Sequence, residues 1–272
     1  MARIIVPDAE AILDREFKVL DHGFVRLVDY MGGDERIVAA ARVSYGRGNK
    51  TFREDKSLIN YLLRNDHTSP FEQVVLTFHC KMPIFVARQW VRHRTARLNE
   101  ISGRYSVFEE DFYLPQGNTI RKQNTRNKQG RDDEEAPPEL QRRVLELLEG
   151  AQKRSYEEYR EMIDAGIARE LARINLPLSL YTQWYWQMDL HNLLHFLKLR
   201  MDAHSQYEIR VYAETMAEIT RHVAPVAYEC FEEHVLHAKK MSRSQYARLK
   251  TILSEQSASN EEASKLLKEL EG

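Results

Sequence analysis

Two spacings of apolar residues divide the chain into elements. Phe24-Val25-Arg26-Leu27-Val28-Asp29-Tyr30 alternates in part and predicts a strand ahead of Gly32-Gly33. Asp34 to Ser44 reads as a helix with Asp34 as its cap, and Ser57 to Leu63 as a second short helix. Gln73 to Cys80 is rich in β-branched and aromatic residues and predicts a buried strand. Met82-Pro83 breaks it, and Pro83 suits the first turn of a helix running to Val91. Val107 to Tyr113 reads as another strand.

Gly117 to Pro138 shows neither spacing. It carries a basic block, Arg121, Lys122, Arg126, Lys128 and Arg131, followed by the acidic Asp132 to Glu135. Such charge blocks are ordinarily solvated insertions; the sharper reading is a basic lip over an anionic substrate. Leu140, Val144, Leu147, Leu148 and Ala151 mark one face of a long helix, and Leu178 to Gln187 predicts a strand. Asp189 suits the cap of a helix running to about His204. Ser205-Gln206-Tyr207-Glu208 reads as a capping box ahead of Ile209, Tyr212, Met216, Ile219 and Val223 at helical spacing. No repeat or linker divides the chain. We expect one mixed α/β domain over residues 1–240, with a central, mostly antiparallel sheet flanked by helices, and a charged helical extension over 241–272.

Composition narrows the function. At 272 residues, 43% hydrophobic and 30% charged, the chain is long enough for a sizeable core. A formal net charge of −1 argues against a global nucleic-acid footprint, so an anion site must be a local patch. The only cysteines, Cys80 and Cys230, stand in unrelated contexts, which excludes a disulfide scaffold and fits a reducing cytoplasm. No signal peptide or membrane span is visible in the sequence.

The densest chemistry lies in Arg92-His93-Arg94-Thr95-Ala96-Arg97-Leu98-Asn99-Glu100-Ile101-Ser102-Gly103-Arg104-Tyr105. Guanidiniums are fixed, forked donors that suit phosphates and carbonyl-rich rings. On the preceding helix Arg88, Gln89 and Arg92 share a face. Taken alone, they read as a solvated polar face. So many guanidiniums in one stretch would repel one another without an anionic partner. A second group, Asp189-Leu190-His191-Asn192-Leu193-Leu194-His195, continues to Arg200, Asp202 and His204. His at i and i+4 is the spacing of helix-borne zinc ligands, but Asn192 stands where a zinc protease has its glutamate. A third, His67-Thr68-Ser69-Pro70-Phe71-Glu72-Gln73, is a turn whose backbone and hydroxyls suit a phosphate-bearing group, although no G-x-G-x-x-G or P-loop is present.

Together these segments resemble the flavin-dependent thymidylate synthases. The family hallmark, Arg-His-Arg, seven variable residues, then Ser, stands here as Arg92-His93-Arg94 and Ser102. Gln89, Asn99-Glu100, Gly103-Arg104-Tyr105, the His67–Glu72 turn, Ala172-Arg173-Ile174-Asn175-Leu176-Pro177 and Leu199-Arg200 through His204 extend the likeness over roughly residues 20 to 235. The resemblance implies a homotetramer of α/β subunits with shared active sites. It implies reductive methylation of dUMP to dTMP, with FAD as cofactor and NADPH and 5,10-methylenetetrahydrofolate as co-substrates. It assigns dUMP to Gln89, Arg92, Glu100, Ser102, Gly103, Arg104, Arg173 and Arg200, with Arg200 polarising the pyrimidine. It assigns FAD to Ser44, Ser69, Arg92, His93, Arg94, Glu100, Asp189, His191, His195 and His204, with no metal. Ser69, Arg97, Asp189, His191 and His195 are departures from residues common in relatives.

The residues also speak to mechanism directly. A thiol route needs a thiolate in an accessible, electropositive setting. Cys80 falls in a buried strand and Cys230 precedes Phe231-Glu232-Glu233, so neither reads as a nucleophile. Ser102 lacks a sequence-adjacent base and reads as a binding residue. Two other functions compete. One is a metal-dependent nucleotide phosphohydrolase using His191, His195 and Asp202. The other is an RNA-contacting surface of Arg88–Arg104 and Arg121–Arg131, which lacks an RNA-binding signature.

Overall fold

The computed structural model describes residues 3–43, 52–125, 128–257 and 260–271. They form two compact units, one ending at Phe231 and one starting at Glu232. In the first unit the elements run α1 (Pro7–Glu10), β1 (Glu16–Val19), β2 (Gly23–Met31), α2 (Asp34–Arg42), α3 (Phe52–Arg64), β3 (Val75–Pro83), α4 (Ile84–Trp90), β4 (Arg97–Glu100), β5 (Arg121–Gln123), β6 (Arg131–Glu135), α5 (Pro138–Asp164), α6 (Arg169–Ala172), β7 (Tyr181–Asp189), α7 (Leu190–Arg200), α8 (Tyr207–Val223) and α9 (Pro225–Phe231).

The central sheet has the order β1-β2-β3-β7-β4 with every pair antiparallel. One face is apolar. Leu76, Phe78, Cys80 and Met82 of β3 and Trp184, Trp186 and Met188 of β7 are buried, while the alternate positions are less so. On that face lies α8, whose Ile209, Tyr212, Met216, Ile219 and Val223 are fully buried, as the helical spacing predicts. At the centre Trp90 of α4 stacks on Phe196 of α7, ring centroids 5.2 Å apart, and meets Trp184 and Trp186 edge-on. This cluster fixes the end of α4, and hence the arginine-rich segment that follows.

Several elements differ from the sequence reading. Asp34 is the first residue of α2, not its cap; its carboxylate accepts from the N–H groups of Val226 and Ala227 at 2.9 and 3.0 Å and so caps the first turn of α9. Helix α3 is longer than the expected 57–63 span. Val107–Tyr113 is not a strand: only an isolated Phe112–Leu180 bridge forms. At Phe108 the backbone bonds α5 instead, with its N–H donating to Tyr159 Oη and its carbonyl accepting from Tyr156 Oη, while Tyr113 N donates to Ser179 O and Tyr181 N to Asp111 O. Within the 117–138 stretch, Arg121–Gln123 and Arg131–Glu135 pair as the two-stranded β5–β6 ribbon. β4, four exposed residues with no apolar alternation, pairs with the outer edge of β7.

Asp189 caps α7 through a 2.9 Å bond from Asn192 N, but the helix stops at Arg200 rather than His204. Ser205 and Glu208 make no capping box; Ser205 Oγ donates to Leu199 O, and Glu208 is drawn into the interior. The expected α5 face is not the packed one. Leu140 and Leu147 are exposed, whereas Gln152 and Tyr159 are buried against residues 108–113 and Ser179.

The second unit holds a π turn (Glu232–Leu236), α10 (Arg243–Gln256) and α11 (Glu261–Glu271). Ser242 and Gln245 form a true capping box, and Tyr246 Oη donates to Leu270 O at 2.6 Å. Among the described residues no helix is long and apolar enough to cross a membrane.

Candidate active site

Three groups of predicted site residues are placed by the fold. The first joins the end of α4 to the end of α7. Arg200 Nε donates to His93 Nε2 at 2.9 Å, and Arg200 Nη2 donates to the Gln89 carbonyl at 3.1 Å. A guanidinium can only donate, so His93 Nε2 is the acceptor and the ring proton sits on Nδ1. His93 meets Phe196 edge-on at 4.8 Å. Burial first, then the Arg200 charge and then His195, push the His93 imidazole down to about 4. Burial, then the nearby Arg92 charge, lowers the Arg200 guanidinium, which stays charged at neutral pH. Among the described residues Arg92 and Arg94 have no carboxylate partner.

The second group lies beyond β4. Glu100 accepts a 2.6 Å hydrogen bond from the buried Thr182 hydroxyl. Arg104 Nε lies 3.2 Å from Glu170, and its N–H donates to Ser102 Oγ at 3.3 Å. Arg169 Nη1 donates to Tyr105 O at 3.2 Å. Gly103 is needed for this approach, since a Cβ there would sit 2.2 Å from the Phe108 ring and 3.1 Å from Arg173 Cδ. The loop thus lies against Arg173, which follows α6. Among the described residues no hydrogen bond or ion pair joins this group to the Gln89–His93–Arg200 group.

The third group surrounds the start of α7. The turn at Phe71–Gln73, preceded by exposed Ser69, packs on α7, and Leu190 N donates to Val74 O at 2.8 Å. His191 and His195 share one α7 face. The Asp189 carboxylate is taken up by its own helix, through Asn192 N and Asn192 Nδ2. Ser44 lies outside the described residues. Hydroxyl, imidazole and uncompensated guanidinium donors suit a phosphate-bearing, ring-containing ligand.

The metal reading is not supported. Asp202 bonds His204 Nδ1 and the His204 N–H, both at 2.8 Å, instead of joining His191 and His195. Among the described residues no group of three His, Cys, Asp or Glu side chains is placed to hold a metal. The thiols fit the sequence reading. Cys80 is fully buried, and burial raises it far above the usual thiol range; burial and then Glu229 raise Cys230. Of the basic residues in the β5–β6 ribbon, Arg131 pairs with Glu208 and Arg121 lies 4.0 Å from Asp133. Between the ribbon and the α7–α8 turn lies a cavity of about 480 Å³, lined by residues that include Arg131, His204, Gln206 and Tyr207.

The sequence reading missed Thr182, Gln206 and Glu208. The polar Gln206-Tyr207-Glu208 stretch resembled helix-start chemistry. Only the structure shows Glu208 buried and bonded to Tyr113, Arg131 and Gln206.

The fold is mixed α/β, and its arginine–histidine pair beside an arginine-rich loop presents donors that suit a polar anion. Residues 26–226 match the family model described as thymidylate synthase complementing protein. The chain is 61% identical over 241 residues to the flavin-dependent thymidylate synthase of Treponema denticola, covering 89% of this chain and 91% of that protein. It is 59% identical over 253 residues to the enzyme of the same name from Treponema pallidum, covering 93% and 83%. A crystal structure of the UMP/dUMP methylase PolB from Streptomyces cacaoi, bound with 5-Br dUMP, superposes with a TM-score of 0.72 at 33% identity, covering 80% of this chain and 97% of that one. The chain belongs to the family of flavin-dependent thymidylate synthases.

Proposed function

We propose that the enzyme methylates dUMP to dTMP, with 5,10-methylenetetrahydrofolate as carbon donor, NADPH as reductant and FAD as the bound flavin. The observation that carries this reading is the grip on Arg200. His93 takes its Nε–H and the Gln89 carbonyl takes one Nη2–H. The Nη1 group has no partner among the described residues. Such a held fork can polarise a pyrimidine carbonyl and stabilise negative charge developing on the ring. The bromo-dUMP-bound relative supports a pyrimidine nucleotide as the ligand.

In this reading Arg200 is the catalytic residue. Gln89, Arg92, Glu100, Ser102, Gly103, Arg104 and Arg173 bind dUMP, with Arg104 and Arg173 facing its phosphate. Ser44, Ser69, Arg92, His93, Arg94, Glu100, Asp189, His191, His195 and His204 line the FAD site, where fixed cations and imidazoles fit a dinucleotide's pyrophosphate and ring edges. When bound, the flavin supplies the electrons that turn a transferred methylene into a methyl group. The protein binds, orients and polarises. Both cysteines are buried and their thiols raised, which argues against a thiol route.

We assign a homotetramer with active sites shared between subunits. Two observations support this: the Arg104–Arg173 group is not bonded to the Arg200 group within one chain, and the Leu140–Leu147 face of α5 is left exposed. The free, buried cysteines suit a cytoplasmic enzyme.

The test supplies flavin-loaded protein with dUMP, NADPH and 5,10-methylenetetrahydrofolate. dTMP should form only with all three present. Phosphate release from dUMP, or no dTMP from fully flavinated protein, would overturn the reading.

A further inference from the structure

We infer that Gln206 and Glu208 are positioning residues that fix which end of the Gln89 side-chain amide meets the nucleotide. The inference rests on the reading of Gln89 as a substrate contact. Glu208 is 2% exposed, yet it is a hub: Tyr113 Oη donates to its Oε1 at 3.1 Å, Arg131 of the β5–β6 ribbon pairs with the same oxygen, and Gln206 Nε2 donates to its Oε2 at 2.9 Å. A carboxylate paired with a guanidinium only accepts. The Gln206 atom facing it is therefore the NH2 group, which leaves the Gln206 carbonyl turned the other way. That carbonyl meets the Gln89 side chain, so the Gln89 atom facing it must be its own NH2.

The consequence is chemical. Gln89 spends an N–H on Gln206 and keeps its carbonyl oxygen as the group free to accept from a ligand donor. Its main-chain carbonyl meanwhile holds Arg200. One residue thus fixes the guanidinium through its backbone and offers an acceptor through its side chain. The hydrogen bonds converge on Glu208: Gln89 donates to Gln206, Gln206 donates to Glu208, and the ribbon's Arg131 donates to Glu208 from the other side. An amide in isolation interconverts its two ends at little cost; here the buried carboxylate removes that choice before the nucleotide arrives.

The experiment is a double-mutant cycle on the flavin-loaded enzyme, using dUMP as the probe. It combines Gln89→Ala, Gln206→Met and both together, with dUMP affinity, turnover, flavin content and melting temperature read on each. Gln206 is exposed, so its removal is not expected to unfold the chain. Gln206→Met should weaken dUMP by about tenfold, the scale of one hydrogen bond, with flavin content and melting temperature unchanged. In the Gln89→Ala background it should cost nothing further. Gln206→Glu, which places a carboxylate beside Glu208, should weaken dUMP as well. Unchanged affinity in Gln206→Met, or losses that simply add, would overturn the inference. Unchanged affinity in Gln89→Ala alone would instead overturn the reading of Gln89 as a substrate contact.

Discussion

Arg200 and His93, distant in sequence, meet at 2.9 Å with the histidine as acceptor. The pairing works only while His93 is neutral, because an imidazolium has no lone pair for a guanidinium proton. Burial, Arg200 and His195 together hold the imidazole at about 4. The other charge in this neighbourhood is Arg92, which acts on Arg200.

A pH dependence follows with a definite sign. The folded value lies below the ordinary 6.5, so an unfolded chain takes up a proton that the folded chain refuses. The contribution of His93 to stability is fully present above about pH 6.5 and declines as pH falls toward 4. Imidazole NMR should show His93 neutral and Nδ1-protonated at pH 6. Replacing Arg200 by Gln should raise its pKa only in part, because burial is the larger cause. Titration near 6.5 in the wild-type protein would refute the pairing.

The thiols should be dispensable. Cys80→Ala and Cys230→Ala should keep dTMP synthesis, with a stability loss of about 1 kcal/mol for a buried substitution. Turnover corrected for folded protein is the measurement. A folded, dUMP-binding variant that makes no dTMP would return a covalent thiol mechanism.

Gly103→Ala should act locally. The added methyl falls onto the Phe108 ring and displaces the loop carrying Ser102 and Arg104. We expect dUMP affinity to drop by about tenfold or more with the flavin retained, read by calorimetry and absorbance. Unaltered affinity would show that this loop does not bind the nucleotide.

Shared sites predict complementation. Arg173→Ala and Arg200→Ala should each lose about 10²–10³-fold in rate. Dissociated, mixed and reassembled, they should regain activity, because some sites then receive both wild-type segments. A fully active monomer in sedimentation would refute the shared-site assembly.

Much of this was legible in the chain because periodicity reports packing. The α8 face from Ile209 to Val223 emerged with its buried residues, and β3 and β7 emerged as strands, although β3 runs on through Met82 to Pro83, where the sequence reading broke it, and β7 covers Tyr181–Asp189 rather than 178–187. β4 did not, because Arg97 to Glu100 pairs along a sheet edge and carries no apolar alternation. The Val107–Tyr113 stretch misled because its β-like composition serves packing under α5, while its backbone bonds tyrosine side chains. Asp34 and Glu208 have the residue type and position of helix caps, yet their partners lie far along the chain. No local pattern encodes such partners. The arginine-rich segment was conspicuous as a motif. Its division between the Arg200 grip and the Arg104–Arg173 loop became visible only in three dimensions.

The most direct test of the account is Arg200→Lys, with dUMP affinity, flavin content and dTMP turnover measured on one sample. Lysine keeps the charge and loses both the planar fork and the Nε–H that His93 accepts. Turnover should fall about 10²–10³-fold while dUMP affinity falls much less, because Arg104 and Arg173 hold the phosphate. Near-wild-type turnover with intact flavin would show that Arg200 only braces its helix and does not polarise the pyrimidine.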